Sequence, residues 1–181
     1  MRIAVYCASS IGNDPIFEKK ARQLGEWMAK KGYELVFGAS DAGLMGAIAD
    51  SVLKNGGRVI GVTPDVPEIK ARIHDSLSEY VYTDTIAERR TKMIELADAY
   101  IAMPGGIGTL DEISEVICLA QLHIHEKPSV FYNIKGYYEP VRALFTNMNE
   151  EGFGHGGDYG KLLFSDDIAE IEKFMEESVG K

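Results

Sequence analysis

The stretch Pro104-Gly105-Gly106-Ile107-Gly108-Thr109-Leu110-Asp111-Glu112 combines crowded glycines with carboxylates, and no other segment of the chain offers as much chemistry. It follows the apolar run 99–103, of buried-strand type, and precedes residues 113–122, whose apolar spacing suits a helix. A glycine turn therefore joins a strand end to a helix start. Glycines let backbone approach an anion closely, and a helix start offers unpaired N–H groups and the positive end of its dipole. The segment thus reads as a phosphate cradle formed by the backbone of Gly105, Gly106, Ile107, Gly108 and Thr109. It is not a Walker loop, since no Gly-Lys-Ser/Thr follows, and its glycine spacing is not that of the dinucleotide fingerprint. Glu112 would sit on the first helical turn, beside whatever the cradle holds. The same residues have plainer readings: a tight turn, with Thr109-Leu110-Asp111-Glu112 as a capping box.

Upstream, Glu88-Arg89-Arg90-Thr91-Lys92-Met93 supplies cations. Arg89 and Arg90 suit an anionic ligand or a solvated helix face, and Lys92 suits the latter. Two further spots fall at strand-to-helix junctions: Ala8-Ser9-Ser10, and Gly43-Leu44-Met45-Gly46, where helix–sheet packing explains Gly43 nearly as well as ligand contact. His123 and His125 have no ligand partner at metal-site spacing and are expected to complement a helix C-terminus; no metal is expected. Cys7 and Cys118 lie on apolar elements and are expected to be buried free thiols, which suits a reducing cytoplasm. Met28, Met45 and Met93 are read as core or subunit contact.

Positioning these groups requires a particular scaffold. Strand and helix patterns alternate along the chain: strands at 3–8, 33–37, 58–62, 80–82, 99–103, 129–132 and 162–164, and helices at 15–31, 43–54, 85–96, 113–122, 137–150 and 168–175. Residues 65–78 read as a loop with a short helix. Continuous apolar strands between helices imply an α/β fold, a Rossmann-like doubly wound parallel sheet of about six to seven strands with helices on both faces. A single domain over residues 1–181 is expected, with 45% hydrophobic residues enough for a sizeable core. Ligands in such sheets bind outside the carboxyl ends of the strands, where every motif above falls. The net charge of −9 disfavours a nucleic-acid partner. The opening residues already read as a strand and no apolar run is long enough to span a bilayer, so a cytoplasmic protein without membrane association is expected.

The pairing of Glu88-Arg89-Arg90-Thr91-Lys92-Met93 with the glycine segment resembles the LONELY GUY family, the cytokinin riboside monophosphate phosphoribohydrolases long labelled lysine decarboxylases. Cys7-Ala8-Ser9-Ser10, Gly43-Leu44-Met45-Gly46, Gln121-Leu122-His123-Ile124-His125-Glu126-Lys127-Pro128 and Asn133-Ile134-Lys135-Gly136-Tyr137-Tyr138 are also similar, so the likeness runs over residues 3–150. The resemblance implies Arg89 and Glu112 as catalytic pair, a purine nucleoside 5′-monophosphate (AMP or a cytokinin nucleotide) as substrate, no cofactor, and a homodimer with the active site at its interface. Arg90, Ser9, Gly43 and the 105–109 backbone are then the substrate- and phosphate-binding candidates. The chain departs from the family in having Arg90 where lysine is usual, Ala87 where many members have histidine, and Gly38-Ala39-Ser40-Asp41 in place of a denser glycine run; these leave the base preference open. Two other classes remain: a non-catalytic carrier of a phosphorylated ligand, as in the molybdenum-cofactor carriers, and a pyridoxal-phosphate decarboxylase, for which no Schiff-base lysine is marked. The helix at 113–122, apolar around most of its circumference, independently predicts a subunit contact.

Overall fold

The computed structural model describes residues 1–66 and 72–180, so part of the expected 65–78 loop and helix lies outside the described residues. Seven strands, β1 (Arg2–Tyr6), β2 (Glu34–Phe37), β3 (Val59–Pro64), β4 (Glu79–Thr83), β5 (Ala99–Ala102), β6 (Ser129–Tyr132) and β7 (Leu162–Ser165), form one sheet. Its order is β4-β3-β2-β1-β5-β6-β7, and every neighbouring pair is parallel. Among the described residues the helices are α1 (Pro15–Lys30), α2 (Gly43–Lys54), α3 (Ile86–Leu96), α4 (Ile107–Gln121), α5 (Glu139–Glu150) and α6 (Ile168–Val179). The expected doubly wound Rossmann-like sheet is therefore the observed one.

Period-two alternation along the strands divides the core between the two faces. Val5, Leu35, Phe37, Val59, Ile101, Val130 and Tyr132 pack with Leu24, Met28, Ile48, Val52, Ile171 and Met175 of α1, α2 and α6. Tyr6, Val36, Ile60, Val62, Tyr100 and Phe131 pack with Met93, Ile113, Val116 and Ile117 of α3 and α4, with Val141 and Phe145 of α5 against them. Local signals set the helix starts. Asp14 caps α1 by accepting from the Ile16 amide at 3.0 Å, ahead of Pro15 at the first helical position. α5 begins later than the apolar pattern suggests, at Glu139-Pro140, because a short 3-10 turn, Ile134–Gly136, precedes it.

Candidate active site

β1 and β5 are neighbours, but the chain leaves β1 for α1 on one face and leaves β5 for α4 on the other. Loops that part in this way open a crevice at the switch in strand order. A cavity of about 420 Å³ lies there, reached by Tyr6 to Ser10 from β1 and its loop, Gly38 after β2, Arg89 and Met93 from α3, and Gly106 to Thr109 and Glu112 from α4.

The glycine segment builds the cavity's open helix end. Gly106, in extended conformation, is the N-cap of α4, and no side chain caps it. The first ladder bond is from the Leu110 amide to the Gly106 carbonyl, at 3.2 Å. The amides of Ile107, Gly108 and Thr109 have no acceptor among the described residues, as expected for the first turn of a helix. This overturns the capping-box reading: the helix starts two residues before Thr109, which lies inside it, so Glu112 is free to face elsewhere. Gly105 does not line the cavity. It accommodates Thr109, since a Cβ on Gly105 would sit 2.1 Å from Thr109 Oγ1. Three donors hold the loop: the Ala8 amide to Pro104 O at 3.3 Å, Tyr137 Oη to Gly105 O at 2.6 Å and Tyr138 Oη to Met103 O at 2.6 Å.

Arg89 and Glu112 meet across the cavity. Thr85 caps α3, accepting from the Glu88 amide at 3.1 Å, while Glu88 accepts from the Asp84 amide at 3.0 Å. That start aims Arg89 over the sheet edge, where its Nε donates to the Val62 carbonyl at 3.2 Å. Its Nη1 lies 3.2 Å from Glu112 Oε1, with the two side chains only 16% and 13% exposed. Burial raises the Glu112 carboxyl above its ordinary pKa, and the opposing charge of Arg89 limits the rise. Gly38 makes the geometry possible: a Cβ there would stand 2.0 Å from Arg89 Nη2. Arg90 does not line the cavity. It donates to Asp111 at 2.9 Å and Glu115 at 2.8 Å, tying α3 to α4 and so fixing the helices that carry Arg89 and Glu112.

The other candidates divide. Ser9 is exposed and lines the cavity. Gly43 does not line it. Gly43 adopts φ +60°, and a Cβ there would lie 2.3 Å from the Ser9 carbonyl carbon and the Ser10 amide nitrogen. The next amides, of Leu44 and Met45, donate to Ala8 O at 3.1 and 3.4 Å, so this helix start is occupied by the chain's own backbone. Met45 and Met93, expected only in core or interface, also form cavity wall. Cys7 is buried as expected, but Cys118 is exposed, one position round α4 from buried Ile117. His125 lies beyond the end of α4; burial lowers its pKa, and its ring packs 5.5 Å from that of Tyr100. Among the described residues no group of three or more His, Cys, Asp or Glu could hold a metal, and no helix is long and apolar enough to cross a membrane. The cavity lining contains no lysine, so these residues do not fit pyridoxal phosphate. Tyr6, Gly38, Tyr137 and Tyr138 carried no signal in the sequence beyond their place in apolar or family-like segments.

Fold and crevice together define the class: a doubly wound α/β protein of Rossmann type with its ligand cavity at the switch point. A family model described as "Possible lysine decarboxylase" matches residues 45–175. A protein of Oryza sativa subsp. japonica named probable cytokinin riboside 5′-monophosphate phosphoribohydrolase is 42% identical over 152 residues, 84% of this chain and 68% of its own length. A cytokinin riboside 5′-monophosphate phosphoribohydrolase of Arabidopsis thaliana is 33% identical over 180 residues, 99% of this chain and 84% of its own. The chain belongs to this family, the one its motifs resemble. Among solved structures, the molybdenum cofactor carrier protein of Chlamydomonas reinhardtii superposes with a TM-score of 0.75 at 20% identity, covering 99% of this chain and 98% of that one. A molybdenum cofactor binding protein of Rippkaea orientalis gives 0.72 at 20% identity, over 97% and 95%. At that identity the likeness is one of fold.

Proposed function

We propose that this chain hydrolyses the N-glycosidic bond of a purine nucleoside 5′-monophosphate, releasing the free base and ribose 5-phosphate. The observation that carries this is the Arg89–Glu112 pair, shielded from solvent and placed beside the unpartnered amides of Ile107, Gly108 and Thr109. The 5′-phosphate binds those amides at the positive end of α4. Arg89 clamps phosphate or ribose oxygens, and Met45 and Met93 give apolar wall to the rest of a cavity large enough for a small ligand. As the glycosidic bond lengthens, the ribose ring gains oxocarbenium character. The Glu112 carboxylate stabilises that charge and takes a proton from the attacking water. No metal or organic cofactor takes part. Arg90, being paired to Asp111 and Glu115, supports the phosphate site through its framework.

The names of the relatives support the reaction class, and a non-catalytic carrier would have no use for Glu112. The minimal unit is a homodimer: Leu122 and Ile124, at and beyond the end of α4, are 64% and 63% exposed, an apolar end that a second copy would cover. Two unbridged cysteines suit a cytoplasmic enzyme. Incubation with AMP, GMP, IMP and cytokinin riboside monophosphates, with chromatographic detection of free base, tests the proposal. Base release from at least one supports it, and binding without release from any would favour the carrier.

A further inference from the structure

Tyr6 ends β1 beneath the cavity. Its ring is 2% exposed and stacks on Tyr100, with centroids 6.5 Å apart and planes 6° from parallel. Phenylalanine would pack there equally well, and a buried phenol without a partner carries a desolvation cost. Among the other buried tyrosines, Tyr100 donates to Ile94 O at 3.0 Å and Tyr138 to Met103 O at 2.6 Å, whereas the Tyr132 hydroxyl is enclosed without a partner among the described residues. The Tyr6 hydroxyl makes no hydrogen bond among the described residues. Nor is it sealed in, for the fully enclosed side-chain polar atoms without partners are on His125, Ser129 and Tyr132. It therefore keeps contact with open space, and Tyr6 lines the cavity. Glu112 is in the matching state. One carboxylate oxygen meets Arg89, and no other donor among the described residues reaches the group. A phenol without a partner and a carboxylate paired only to Arg89 thus border one cavity.

We propose that the Tyr6 hydroxyl and Glu112 together hold the attacking water, with Tyr6 as its positioning residue; this rests on the hydrolysis proposed above. In the step, the water oxygen bonds to the anomeric carbon as the carbon–nitrogen bond breaks. The electron pair of that bond leaves with the base, which takes up a proton from solvent, and a water proton passes to Glu112. Burial and the nearby Glu112 charge push the phenol pKa well up, so Tyr6 stays protonated and never competes as the base.

The test is Y6F, which keeps ring and stack and removes one oxygen. With AMP as probe, kcat for adenine release should fall about 10- to 100-fold, as for loss of one hydrogen bond at a reacting centre, while KM stays within about 3-fold. Y6M, which also lacks the hydroxyl, should show the same kcat loss; calorimetric binding of ribose 5-phosphate confirms an assembled site in either variant. A Y6F kcat within twofold of wild type would overturn the inference, as would a loss confined to KM, which would give the hydroxyl to substrate binding. No base release by wild type from AMP, GMP, IMP or a cytokinin riboside monophosphate would overturn the functional reading and this inference together; release by wild type with Y6F equal to it would overturn this inference alone.

Discussion

Replacing Glu112 by Gln separates chemistry from architecture more sharply than any other single change. The side chain keeps its size and a carbonyl acceptor, so Arg89 retains a hydrogen-bond partner where it now meets Oε1 at 3.2 Å. What disappears is the charge proposed to stabilise the transition state and the basicity proposed to take the water proton. Such groups contribute about 10²- to 10⁴-fold to rate, or about 3–5 kcal/mol of barrier. Stability should respond far less. Breaking a fully buried ion pair costs about 3–5 kcal/mol, but here the cavity admits water, and glutamine relieves the desolvation that raises the Glu112 pKa. A net loss under about 2 kcal/mol is expected, a melting shift of at most about 4–8 °C for a chain of this size. The pH dependence has a definite sign. The folded state holds the Glu112 proton more tightly than the unfolded chain, because its pKa is raised above 4.5. That contribution is fully present below pH 4.5 and is lost as pH rises through the folded-state value. Glutamine cannot titrate, so the stability difference should favour wild type most near about pH 4 and shift toward E112Q by about pH 7. Adenine release and urea unfolding at both pH values measure the two effects. An E112Q enzyme turning over at near wild-type rate would refute the assignment of Glu112.

Gly38→Ala should lower activity at least about tenfold with little change in melting temperature, because the new Cβ, 2.0 Å from Arg89 Nη2, displaces a side-chain end rather than backbone. Normal kcat/KM in that variant would show that Arg89 need not lie where it does. Light scattering at micromolar concentration should give twice the mass of one 19.9 kDa chain, and L122E should weaken that association; a fully active monomer would contradict the dimer.

The sheet was legible because its inner strands are short, largely apolar runs closed by turn residues, the pattern that burial on both faces demands, while the edge strand β4, Glu79–Thr83, is only partly buried. The strand-to-helix turn at 105–109 was legible because few other structures need glycines so close together. The role of Glu112 was ambiguous for a local reason. Thr109-Leu110-Asp111-Glu112 satisfies a capping box in sequence, and only the extended conformation of Gly106 moves the helix start forward. Arg90 looked like a phosphate ligand because Asp111 and Glu115, which engage it, reside on a helix that only the sheet order brings alongside. Gly38 showed only as the start of a diluted glycine run, and Tyr6 had no local signature at all; the contacts that make them matter are not local. One matters through a side chain more than fifty residues away in sequence, the other through a cavity that exists only once β1 and β5 are paired. Cys118 was misplaced because apolar neighbours along a helix say nothing about the one position that turns to solvent.

The central claim is glycosidic cleavage directed by a bound 5′-phosphate, and product analysis with AMP and adenosine side by side tests it most directly. The account predicts adenine and ribose 5-phosphate in equal amounts from AMP. From adenosine it predicts release at least about 100-fold slower, since two or more hydrogen bonds to a charged group, each worth about 1.5–3 kcal/mol, are lost with the phosphate. Equal turnover of the two, or the appearance of adenosine and inorganic phosphate from AMP, would contradict it.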